Sequence, residues 1–117
     1  IQYALCYPER PAAGLPRCDL TQVGRLEFEA VDPARYPCLE LARAALRMGG
    51  TAPAVLNAAD EVLVAAYLVG KIRFGEIAGL LDRMLDEHRA GPGNDLEAIH
   101  QTDREARTRA RALIGSL

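Results

Sequence analysis

Long hydrophobic runs are missing from this chain of 117 residues, although half of them are apolar. The longest apolar-rich stretch, residues 52–69, is broken by Asn57, Asp60 and Glu61, and a bilayer-spanning helix needs roughly 20 uninterrupted apolar residues. No membrane-spanning helix is expected. An excess of one charge sign is missing as well: 14 basic and 16 acidic side chains leave a net charge of −2, with both signs interspersed. Such a chain has no broad field to gather nucleic acid or anionic lipid, so neither is expected as a partner. Cysteine is sparse. Cys6, Cys18 and Cys38 form an odd set without C-x-x-C spacing, which points away from a disulfide framework or a zinc ribbon and towards a reducing, cytoplasmic setting. Lysine is nearly absent, with Lys71 alone among many arginines, a bias read as genome composition. The chain opens Ile1-Gln2-Tyr3 with no initiator Met and no basic-then-apolar leader; it is expected to be a cut end.

At this length a folded chain buries about two-thirds of the surface that its unfolded form exposes, so a genuine core is possible. Six of the seven prolines fall at or before Pro53. Pro8, Pro11, Gly14 and Pro16 rule out a regular helix or central strand in the early part, which reads as an irregular connection. Ile1, Ala4 and Leu5 have the spacing of a helix end. Leu26, Phe28 and Ala30 alternate with Glu27 and Glu29, predicting one strand over residues 25–31. Its pairing partner would lie outside this sequence, or the segment would simply run extended.

From Asp32 onward the pattern is helical. Pro37 suits a first turn, Leu39, Ala42, Ala45 and Leu46 give an apolar stripe, and Gly49-Gly50 stops it. A second helix follows Thr51 and Pro53 and ends at Gly70; residues 55–69 are apolar on nearly every side, which predicts the centre of a bundle. Phe74, Ile77, Leu80, Leu81, Met84 and Leu85 recur at helical spacing before Gly91-Pro92-Gly93. A fourth helix is capped by Asn94 or Asp95 and lined by Leu96, Ile99, Ala106, Ala110, Leu113 and Ile114. Its late arginines, Arg104, Arg107, Arg109 and Arg111, would complement the helix dipole. The fold is therefore expected to be mainly α, with residues 33–117 a compact four-helix bundle whose short loops make neighbours antiparallel.

Asn57, Asp60 and Glu61 stand at i, i+3 and i+4 on one face of the apolar helix. A carboxylate pair could hold a metal or move a proton. With no histidine or third carboxylate at ligand spacing, a structural network tying this helix to a neighbouring loop is favoured. Gly49-Gly50-Thr51 before a helix resembles a phosphate cradle, but Pro53 removes a donor and no Lys-Ser/Thr pair follows, so an ordinary stop and restart is favoured. His88 and His100 are expected in solvent. Cys38, beside Pro37 at a helix start, could carry a dipole-stabilised thiolate, although a buried inert thiol is the commoner case. Arg104, Arg107 and Arg111 share a face that is expected to be solvated, and Lys71 and Arg73 complement a helix C-terminus. Composition and spacing alone stop at a soluble helical domain without an active site.

Three segments taken together resemble the 1-deoxy-D-xylulose 5-phosphate reductoisomerases of the non-mevalonate isoprenoid pathway. They are residues 1–10 (IQYALCYPER), 36–46 (YPCLELARAAL) and 51–77 (TAPAVLNAADEVLVAAYLVGKIRFGEI). Leu20-Thr21 and Leu26-Glu27-Phe28 also fall where the family has an Asp-Leu-Thr and a strand. One departure is Asp60, where the family usually has Asn. The resemblance implies an NADPH-dependent enzyme using Mg or Mn; none of the family's catalytic motifs matches a position here, so no catalytic, cofactor or metal residue is carried over. It implies further that residues 1–32 are the tail of a connecting domain, that residues 33–117 are a C-terminal supporting bundle, and that the whole is a homodimer acting on a sugar phosphate. The alternative is an autonomous helical interaction module that inherited the bundle alone.

Overall fold

The structure, a computed structural model, describes every residue except 13, 15, 17 and 117. Residues 13 and 15, within the stretch read as irregular, and residue 117, the end of the expected bundle, thus lie outside the described residues. The chain divides into two units, Ile1–Ala30 and Val31–Leu117.

In the first unit, α1 (Gln2–Cys6) is the helix end expected from Ile1, Ala4 and Leu5. The following segment folds back on it. Gln2 Nε2 donates to the Pro11 carbonyl at 2.8 Å, the Arg10 guanidinium lies 3.9 Å from the Tyr3 ring centroid, and Tyr3 meets Tyr7 edge-on at 5.7 Å. A single helical turn, α2 (Leu20–Val23), was not foreseen. Asp19 creates it by accepting from the Thr21 N–H at 2.9 Å and from its hydroxyl at 2.7 Å, bonds that hold the Asp19 carboxyl below its ordinary pKa. Gly24, at φ 73°, ends it. The strand expected over residues 25–31 is not formed, and no strand occurs among the described residues. Alternation supplies the side-chain pattern of a strand, but a ladder needs a second strand to bond to.

The second unit consists of α3 (Pro37–Met48), α4 (Ala52–Leu68), α5 (Phe74–Asp86) and α6 (Leu96–Gly115). Pro37 occupies the first turn of α3 and Gly49 its C-cap, as their backbone preferences require. Of the expected stripe of α3 only Ala45 is buried, with Leu41 partly buried beside it, whereas Leu39, Ala42 and Leu46 are exposed. α4 packs against α3, α5 and α6. Alanines at 52, 58, 59 and 66 are buried along it beside Val55 and Leu63, small side chains that let the neighbouring helices approach. Its burial is nevertheless one-sided towards the C-terminal end, where Val64, Tyr67, Leu68 and Val69 are exposed.

α5 buries Ile77, Leu80, Leu81, Met84 and Leu85, as the spacing predicts, but leaves Phe74 outside against Tyr67. Glu76 caps its start by accepting from the Arg73 N–H at 2.6 Å and the Arg73 guanidinium at 2.9 Å. Asp95, of the two candidates, caps α6 by accepting from the Glu97 N–H at 3.0 Å. Ala106, Ala110 and Leu113 are its buried contacts. The arginines stop short of the last turn of α6, which holds no basic residue, so they do not complement the dipole there.

Candidate functional site

The polar face of α4 splits in two. Glu61 reaches across to α6, where its Oε2 meets Arg107 Nη1 at 2.8 Å. Arg107 also holds Asp103, one turn earlier on α6, through Nε at 2.8 Å and Nη2 at 3.1 Å. Asn57 Nδ2 donates to the other Glu61 oxygen at 3.2 Å. Asp60 leaves this group and lies beside Cys38, at a groove between α3 and α4. The expected network thus exists, but it joins α4 to another helix instead of a loop, and Asp60 is not part of it. Arg107 correspondingly departs from the solvated face foreseen for it.

Charge pairing fixes the protonation of this cluster. Hydrogen bonding to Arg107 and its positive charge hold the Glu61 carboxyl below its ordinary range, and the Arg107 bonds do the same for Asp103. The guanidinium is in turn held more firmly protonated by its two carboxylates. A general base works best with a pKa near the operating pH. Glu61 is moved away from that value and both of its oxygens are engaged, so it is an ion-pair partner. The groove beside it, about 640 Å³, is lined by Val62, Val69 and Ile114 together with Lys71, Arg107 and Arg111.

Cys38 matches neither of its two expected states. It lies at the surface and not in the core, and desolvation, followed by the nearby Asp60 carboxylate, raises its pKa. Desolvation and the nearby carboxylate together oppose thiolate formation. His100 is exposed as expected, but His88 is half-buried and bonded. Its Nε2 lies 3.0 Å from the Thr51 hydroxyl, and burial lowers its pKa.

A hydroxyl against an imidazole has the outline of a nucleophile and its base. Here Thr51 is 1% exposed and its oxygen accepts from the Gly91 N–H at 2.9 Å, which leaves no approach for a substrate. The same contacts close the candidate phosphate cradle, because the Thr51 N–H donates to the Gly91 carbonyl at 3.2 Å and a side chain at Gly50 would stand 2.2 Å from that oxygen. Sequence reading missed this junction; Gly49-Gly50-Thr51 and Gly91-Pro92-Gly93 were visible only as two separate helix stops. Among the described residues, no three His, Cys, Asp or Glu side chains converge as metal ligands. The Gly49-Gly50-Thr51 turn is thus occupied by the Gly91 loop and not open to a phosphate.

Comparison with known proteins supplies what the geometry of this unit does not. Residues 1–109 match the family described as the DXP reductoisomerase C-terminal domain. The chain is 54% identical over 112 residues to the 1-deoxy-D-xylulose 5-phosphate reductoisomerase of Cupriavidus taiwanensis, covering 96% of this chain and 28% of that protein. It is 51% identical over 116 residues to that of Ralstonia nicotianae, covering 99% and 30% respectively. Among solved structures, the Zymomonas mobilis reductoisomerase in complex with NADPH superposes with a TM-score of 0.79 at 39% identity, over 98% of this chain and 30% of that one. A reductoisomerase in complex with NADPH, fosmidomycin and magnesium gives 0.73 at 37% identity, over 97% of this chain and 30% of that one. The chain thus spans less than a third of the length of these relatives, and over that length it belongs to the C-terminal domain family of the DXP reductoisomerases.

Proposed function

We propose that this chain is the C-terminal part of an NADPH-dependent reductoisomerase that converts 1-deoxy-D-xylulose 5-phosphate to 2-C-methyl-D-erythritol 4-phosphate in isoprenoid biosynthesis. The observation that carries this reading is the end-to-end match: 96% of the chain aligns at 54% identity, against 28% of the Cupriavidus taiwanensis enzyme. Residues 33–117 serve as a supporting bundle and residues 1–32 as the tail of the connecting domain. The unpaired alternation of residues 25–31 supports the second assignment, because such a strand pattern needs a partner that the described residues do not supply.

In the complete enzyme NADPH supplies the hydride and a divalent ion, Mg or Mn, organises the sugar phosphate. This chain contributes no catalytic, cofactor or metal residue in the proposal. Its part is mechanical: α4, gripped by three helices and tied to α6 through Glu61 and Arg107, gives the catalytic body a rigid neighbour. Rigidity matters because displacing reacting groups by an ångström costs about a hundredfold in rate. The complete protein is a cytoplasmic homodimer in this reading. Three free cysteines are consistent with a reducing compartment.

Sequencing the reading frame upstream of the Ile1 codon tests the proposal. Continuation into a strand, a glycine-rich turn and a helix is the expected result. A frame that starts at this segment would favour the autonomous interaction module instead.

A further inference from the structure

Three segments of the bundle meet at one hydroxyl. Thr51 opens α4, His88 lies just past the end of α5, and Gly91 belongs to the loop leading to α6. Thr51 Oγ1 accepts from the Gly91 N–H at 2.9 Å and lies 3.0 Å from His88 Nε2. The seam is tight elsewhere too: a Cβ at Gly93 would stand 2.8 Å from the Gly50 carbonyl oxygen. A threonine hydroxyl has one proton to donate and two sites that accept. Gly91 fills one accepting site. If His88 filled the other by donating from Nε2, the Thr51 proton would be left in a 1% exposed position with no acceptor. If Thr51 donates to Nε2, every group is satisfied. The imidazole is then neutral, with its proton on Nδ1.

We infer that Thr51 and His88 form an acid-released latch, in which neutral His88 accepts the Thr51 proton and holds the α5–α6 loop against the α3–α4 turn, and protonation of His88 removes that acceptor and frees the loop. The inference is independent of the enzymatic role proposed above. Charged groups around the ring do not impose another outcome. From α6, Glu105 and Arg109 face the same small cavity as His88, with opposite signs. On the α5 side, Glu87 is held by Arg83 and Arg109. The turn before Thr51 consists of Gly49 and Gly50, and Val55, Met84, Thr102 and Ala106 complete the lining, all without charge. Desolvation lowers the pKa of the ring. The folded chain therefore binds fewer protons than the unfolded one just below the ordinary histidine range, and stability falls as pH drops through that window.

Nitrogen-15 spectra of the histidine rings in the 117-residue chain, titrated from about pH 8 to 5, test the inference together with hydrogen-exchange protection of the Gly91 amide. The expected result is an Nδ1–H tautomer for His88 at the alkaline end, a midpoint below the ordinary histidine range, and a fall of about tenfold or more in Gly91 protection as His88 titrates. In His88→Gln, whose amide oxygen can still accept from Thr51, that pH dependence should vanish while His100→Gln retains it. An Nε2–H tautomer, or Gly91 protection that stays constant across the His88 titration, would overturn the latch. The wild-type spectra decide this even if His88→Gln does not fold.

Discussion

Arg107 concentrates more ionic contacts than any neighbour on its helix, and its effect on stability should depend on pH. The Glu61 and Asp103 carboxyls are held below their ordinary pKa by this guanidinium. Their contribution is fully present above the unfolded carboxylate range, near pH 4, and is lost as pH falls through the lower folded values. Denaturation midpoints measured from neutral pH downward should therefore show wild type more stable than Arg107→Met at neutrality, with the two curves converging under acid. Parallel curves would mean that the pairs contribute nothing. Glu61 alone carries little of this, because 56% of its side chain remains in water. Glu61→Ala should lower the melting temperature by no more than about 4 °C. Gly50 is a different matter: φ is +52° and an added Cβ would meet the Gly91 oxygen at 2.2 Å. Gly50→Ala should cost about 2–4 kcal/mol in a urea titration. A loss below about 0.5 kcal/mol would show that the seam yields easily. The side chains of Asn57, Asp60 and Glu61 were legible as a polar face from spacing alone. Which of them turns towards α6 was not, since Arg107 lies 46 positions beyond Glu61 and only the packed helices bring them together.

The helices differ in how plainly their sequences state which face is buried. α5 alternates apolar and polar positions with one phase, so Ile77, Leu80, Leu81, Met84 and Leu85 could be read directly. α4 is apolar nearly all round, which marks a central helix but gives no phase, so the exposure of Val64 and Leu68 could not be read from it. α3 has two competing stripes that share Ala45, one continuing through Leu39, Ala42 and Leu46 and another through Leu41, and tertiary packing selects the second. A strand pattern without a partner, over residues 25–31, is the remaining case in which local signal and structure part. These differences are measurable on α4. Leu63 is fully buried, so Leu63→Ala should destabilise the chain by about 2–5 kcal/mol. Leu68 is 74% exposed, and Leu68→Ala should stay within about 0.5 kcal/mol. Equal losses at both positions in chemical denaturation would contradict the burial pattern.

At the scale of the whole molecule, function was legible through resemblance and not through a site. No residue constellation among the described residues of this unit reaches beyond structural bonding, and the chain spans less than a third of its relatives, so the proposal places the chemistry in the remainder. The central claim is that the unit is an interchangeable support for a catalytic body. The most direct test replaces the matching C-terminal segment of the Cupriavidus taiwanensis reductoisomerase with this chain and measures NADPH consumption with 1-deoxy-D-xylulose 5-phosphate, normalised to folded protein. Turnover within about tenfold of the parent is the expected result, since a support displaces reacting groups only slightly and supplies no transition-state charge. A chimera that folds but loses about a thousandfold or more in turnover would contradict the account, because this unit would then have failed to provide something the chemistry itself requires.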